Sequence, residues 1–180
     1  SGLCVASYTG VLLSSTAVPL WGRAKHLLGP LFVTSGLSTA LASLSCLLAL
    51  RCRKQQRCQG ELEGLERAEI VTMVTELGLI STLVPTLGPL GKPLFTGRTG
   101  RLFKIGVIGG GLILPLLLHL GWKYTGRSAP RGVQVSASLL TLLGGLILRY
   151  VWIVGGRASA DNPEAVHYYN ALEGMEQDVH

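Results

Sequence analysis

Charge is what this sequence most lacks. Only 14% of its 180 residues are Asp, Glu, Lys or Arg, against about a quarter in ordinary soluble domains. A water-covered surface cannot be built from so few charges, so a single soluble globular domain is excluded. Cysteine is equally sparse in usable patterns. The four, at positions 4, 46, 52 and 58, include no pair with the two-residue gap of zinc and iron–sulfur motifs, and no metal cluster is expected in this chain. Cys52 and Cys58 share a basic loop and could approach one another, but unpaired thiols are the simpler reading. Histidine is also short. A membrane cytochrome b holds each haem between a pair of buried histidines, and of His26, His119, His167 and His180 only His119 lies in apolar sequence. No haem is expected. His119 stands three residues before Trp122, where an interfacial histidine is the plain reading. Sixteen Lys and Arg give a net charge of +6, but they sit in the connecting loops with no basic stripe and no aromatic stacking platform. A nucleic-acid partner is therefore excluded.

What the chain has instead is apolar residues in blocks. About 20 residues cross the hydrocarbon core at roughly 1.5 Å per residue, and five blocks pass that test: 2–21, 27–50, 65–84, 102–122 and 133–155. Pro85 and Pro89 are expected to close the third. The expected fold is all-α, a polytopic transmembrane bundle of about five helices over 1–156. A polar, acidic tail follows over 157–180, with Asp161, Glu164, Glu173, Glu176 and Asp178. Apolar sequence begins at Ser1 with no charged segment ahead of it. A span with nothing to anchor its outer end predicts that the chain is the C-terminal portion of a larger bundle.

Short loops force successive helices to run antiparallel. The loops at 22–26 and 91–100 and the tail therefore share one membrane side, and those at 51–64 and 123–132 the other. Lys and Arg are balanced between the sides, so charge does not decide orientation. Trp21, Tyr150 and Trp152 fall toward one interface, and Trp122 and Tyr124 toward the other, as two aromatic belts would. Small residues recur at helical spacing, Ser35, Thr39 and Ser43 on the second helix and Gly106 and Gly110 on the fourth. Such faces let helices approach closely in lipid.

Two ionisable residues lie deep in apolar sequence, Glu76 in the third block and Arg149 in the fifth. Each costs on the order of 3 kcal/mol at a helix centre, so each should face the bundle or a wet cavity. Glu76 is about 15 Å into its span by helical rise, and Arg149 is roughly 9 Å from that level. Glu69, Met73 and Glu76 share one face, which suits a proton path from the 51–64 side. Two readings stand for each residue. Glu76 either exchanges protons or makes a structural hydrogen bond to a neighbouring helix. Arg149 either serves the site or snorkels to the interface beside Arg157.

Four segments, in order, carry a resemblance: YTGVLLSSTAVPLW (8–21), GPLFVTSGLSTA (29–40), GRLFKIGV (100–107) with Leu114-Pro115, and LGGLILRYV (143–151). Together they resemble the NrfD family, the polysulfide reductase membrane subunits. The resemblance implies a haem-free membrane anchor that exchanges electrons between a quinone, menaquinone or ubiquinone, and a ferredoxin-like iron–sulfur subunit. A molybdopterin or other catalytic subunit would complete the complex in a prokaryotic plasma membrane, possible proton translocation included. Arg149 matches the family's Arg-Tyr pair; Glu76 rests on burial alone. The roles expected are proton transfer or stabilisation of the quinone head. The rival reading is a proton-coupled secondary transporter using the same two residues. A purely structural anchor is the third.

Overall fold

The computed structural model describes residues 24–51, 59–88, 95, 97–124 and 130–160. Among these the secondary structure is entirely helical. Helix α1 spans Lys25–Arg51 and α2 spans Gln59–Leu87. A short α3, Gly97–Arg101, runs on into a π-helical stretch, π1, Leu102–Ile113, and then into α4, Leu114–Tyr124. Helix α5 spans Arg131–Ala160. Four of these helical rods are long and apolar enough to cross a membrane: His26–Arg51, Gly60–Leu87, Gly97–Trp122 and Arg131–Arg157. The block expected over 2–21 lies outside the described residues, as do Trp21, Cys4, Cys52, Cys58 and the tail beyond Ala160.

The boundaries differ from expectation at α2. It starts at Gln59 rather than 65, because Glu61, Glu63 and Glu66 belong to its first turns, where carboxylates favour the positive end of the helix dipole. At about 1.5 Å per residue α2 is roughly 43 Å long, more than the hydrocarbon core, so its charged first third can stand among headgroups. Pro85 does not end the helix but lies inside its last turns. It removes one backbone donor there, and the stop comes at Gly88, whose φ of 48° only glycine adopts readily. Helix α5 likewise continues through the start of the expected tail to Ala160.

Serine and threonine are common in these helices because each hydroxyl can bond within its own helix. Thr34, Thr39 and Ser43 of α1 donate to carbonyls three or four residues back, as do Thr72 and Thr75 of α2. A hydroxyl bonded in this way does not face lipid without a partner. The outward faces are strongly apolar. Val71, Ile105, Leu50 and Leu146 are between 62% and 70% exposed, the inverse of a soluble protein and the form a lipid-facing surface takes.

Helix α1 packs between α2 and α5, and α5 packs against α1, π1 and α4. Consecutive glycines of α5 serve two of these neighbours. A Cβ at Gly144 would fall 2.3 Å from Gly111 Cα of π1, and one at Gly145 would fall 2.5 Å from Thr39 Cγ2 of α1. Neighbouring residues on a helix point about 100° apart, so a Gly-Gly pair opens two close seams at one level. Gly106 meets the side chain of Ile147. Its partner in this contact is Gly111 and not the expected Gly110, since π1 repeats at i+5 rather than i+4. The backbone N–H of Leu114 bonds Gly109 O, five residues back. Pro115 follows, with no N–H to donate and a ring that crowds the carbonyl four residues earlier. Three glycines and this proline weaken the α register there.

Trp152 is fully buried with Phe103, Val107, Leu148 and Val151. It belongs to the core and not to the expected interfacial belt, because position 152 lies on the side of α5 that packs inward, while Tyr150 is 59% exposed.

Candidate functional site

Helices α1 and α2 run antiparallel, and their facing residues form a ladder. On α2, Glu69, Met73 and Glu76 recur at i, i+4 and i+7, one face of an α-helix, and all three are buried at 3% exposure or less. On α1, Ser38, Ala42 and Ser45 repeat the same spacing and are equally buried. Ser38 Oγ donates to Glu76 Oε2 at 3.2 Å, and Ser45 Oγ donates to Glu69 Oε1. Met73 and Ala42 lie between these two polar rungs on their respective helices. Two carboxyl stations thus stand about 10 Å apart along the axis, with an apolar layer between them.

Glu76 is the inner station. Ser35 Oγ faces its carboxylate without meeting hydrogen-bond geometry. Arg149 of α5 acts on it electrostatically across the same seam, though no ion pair joins the two among the described residues. The guanidinium turns back one helical turn, Nη1 donating to Gly145 O at 3.1 Å. It therefore points away from Arg157, toward the close α1–α5 seam at Gly145 with its hydroxyls and carboxylate. The sequence pair Glu76 and Arg149 is brought to one neighbourhood, bridged by α1. Glu76 makes a hydrogen bond to a neighbouring helix, with Ser38 of α1 as its donor.

The outer station has a member that sequence reasoning placed elsewhere. His119 of α4 is 4% exposed and turned into the bundle. The α4 end on which it stands packs against the first half of α2, which brings it to the two carboxylates. Its Nε2 lies 3.1 Å from Glu69 Oε2 and its Nδ1 lies 3.6 Å from Glu66 Oε1. The Nε2–Oε2 approach is close but at an angle short of a hydrogen bond. Glu69 is fully buried, whereas the side chain of Glu66 is 20% exposed. The only sequence signal was the Glu66-to-Glu69 spacing on one α2 face; nothing in a single sequence pairs it with α4. The contact also puts the ends of α2 and α4 that adjoin the 51–64 and 123–132 loops on the same membrane side, as antiparallel succession requires.

Hydroxyls suit such carboxyls because each donates to the ionised form and accepts from the protonated one. The ladder can therefore hold either protonation state without rearranging the backbone. A quinone ring does not fit the seam beside Arg149, where even one added methyl at Gly145 would collide with Thr39. Among the described residues no group of three or more His, Cys, Asp or Glu side chains is arranged to hold a metal ion. His119 directs its two nitrogens at two different carboxylates.

Compared with known proteins, residues 2–159 match the family model described as Polysulphide reductase, NrfD. No curated protein and no solved structure matches the chain.

Proposed function

The chain belongs to the NrfD family, the membrane subunits of polysulphide-reductase-type complexes, and from that membership and the buried ladder we propose a specific role. The protein is the haem-free, quinone-reactive membrane subunit of a respiratory oxidoreductase. It passes electrons between the quinone pool and a ferredoxin-like iron–sulfur subunit docked at the membrane surface. A molybdopterin or other catalytic subunit carries the substrate chemistry, and the complex lies in a prokaryotic plasma membrane. The observation that carries this reading is Glu76. A carboxyl at mid-span, bonded by Ser38 and flanked by Arg149, is costly in lipid unless it does work.

Quinone reduction and oxidation take up and release protons. In this reading Glu76 takes or gives them, using the hydroxyl of Ser38 to keep its carboxyl oriented in both states. Arg149 balances the charge of the ionised form from across the seam, with Gly145 O holding the guanidinium in place. The ring itself binds outside this closed seam, so both residues act on protons and field and not by touching the head.

The test is the full-length protein with its native partners in mild detergent. Quinol-dependent reduction of iron–sulfur clusters is recorded beside a haem spectrum, for the native complex and for Glu76→Gln. Cluster reduction without haem, slowed on the order of 100-fold in the variant with assembly intact, is expected. Unchanged turnover in Glu76→Gln would remove its role. One observation favours a second reading: the α register gives way to a π register at π1 ahead of Pro115, and irregular helices are a feature of secondary transporters. A protein that comes out without clusters or quinone dependence, yet moves a solute with protons in vesicles, would establish that reading instead.

A further inference from the structure

His119 is the buried titratable group that the reading above does not use. It contacts two carboxylates of unequal exposure, one on each ring nitrogen. A neutral imidazole carries one donor and one acceptor nitrogen, so it can take a proton on one side and lose one from the other. Glu69 Oε2 and His119 Nε2, both buried, have no hydrogen-bond partner among the described residues although they face each other at 3.1 Å. Three ionisable groups inside a bundle are also an expensive way to join two helices, since a neutral amide would join them at far lower cost.

We propose that His119 is a proton relay between Glu66, whose side chain is partly exposed near the N-terminal end of α2, and the buried carboxyl of Glu69. In one transfer the Glu66 carboxylic acid gives its proton to His119 Nδ1, and the proton on Nε2 passes to Glu69 Oε2. One N–H bond forms and one breaks, Glu66 is left ionised, Glu69 is left protonated, and the imidazole has exchanged tautomers. The ring is reset by rotation, which exchanges the positions of its protonated and free nitrogens before the next transfer. Ser45, bonded to Oε1, leaves Oε2 as the oxygen open to His119. The groups facing the ring from α2 are Glu66 and Glu69, and α5 brings Arg131 and Gln134 to the same end of the bundle.

Any link between this relay and quinone turnover rests on the quinone reading, but the relay's test does not. Infrared difference spectra after a pH jump follow the carboxyl of Glu69 in the full-length protein, its band assigned by loss in Glu69→Gln. In the native protein the band should change with pH. In His119→Leu the change should slow on the order of 100-fold, and Glu66→Gln should slow it similarly. His119→Gln, which keeps a neutral polar bridge, guards against misfolding and should be slow while retaining the native unfolding midpoint. A Glu69 band that ignores pH, or that responds at the native rate in both His119 variants, overturns the relay. Quinol-dependent turnover of the complete complex is measured in parallel. Slowed Glu69 protonation with no quinone dependence in the native complex leaves the relay standing and removes the quinone reading. Slowed protonation together with slowed turnover supports both.

Discussion

Replacing Gly111 by alanine should damage the bundle, whereas replacing its neighbour Gly110 should not. At Gly111 a Cβ would fall 2.6 Å from Gly144 Cα, a backbone atom that no side-chain rotation can clear, and 3.2 Å from Gly106 O. Ordinary contact begins near 3.4 Å, so π1 and α5 must part by roughly 1 Å. A gap of that size forfeits a quarter to a half of each dispersion contact along the seam, and overpacking of this kind typically costs about 1–3 kcal/mol. At Gly110 the nearest atom is Ile105 O of the same helix at 3.4 Å, and alanine there should gain up to about 1 kcal/mol of helix propensity. Unfolding in mixed micelles of rising denaturing-detergent fraction, followed by the fluorescence of buried Trp152, gives both values. Were Gly110→Ala the damaging change and Gly111→Ala the neutral one, Leu102–Ile113 would be an ordinary α-helix and the π register would be refuted.

Other consequences follow from the same packing. Ser38→Ala and Ser45→Ala each leave a buried carboxyl oxygen without its donor and should each lower stability by about 1–3 kcal/mol, read in the same micelle titration; native stability in both would mean the rungs are not formed. Nitroxide labels at Val71, Ile105, Leu117 and Leu146 should be relaxed by oxygen dissolved in the bilayer and shielded from water-soluble nickel complexes, because these side chains are largely exposed on apolar faces. A label at Leu148, which is fully buried, should be shielded from both.

Much of the architecture was legible in the sequence because the membrane asks a local question. Whether about 20 consecutive residues are apolar is answered within a single window, and the blocks at 27–50, 102–122 and 133–155 each fall within an observed helical rod. The same locality explains the displaced α2 start: a hydropathy window sees the charged turn of Glu61 to Glu66 as loop, although charge is compatible with helix beyond the hydrocarbon. Glu76 and Arg149 stood out as ionisable groups in apolar sequence, and the i, i+4, i+7 face of Glu69, Met73 and Glu76 was visible from helical periodicity.

Pairing across helices was not visible, and there the tertiary structure decided. Trp152 turned inward and His119 turned to two carboxylates because helix rotation depends on which neighbours pack most closely, a property no single helix contains. Gly111 replaced Gly110 at the α5 contact because a π register changes which residues share a face. Arg149 folded back to Gly145 O because the Gly-Gly pair drew α1 near enough to offer it polar company. By itself the sequence determined which segments enter the membrane and which charges they carry with them. Only the packed bundle determined where those charges meet, since in lipid the apolar faces are nearly interchangeable and close backbone contact, not hydrophobicity, selects the partner.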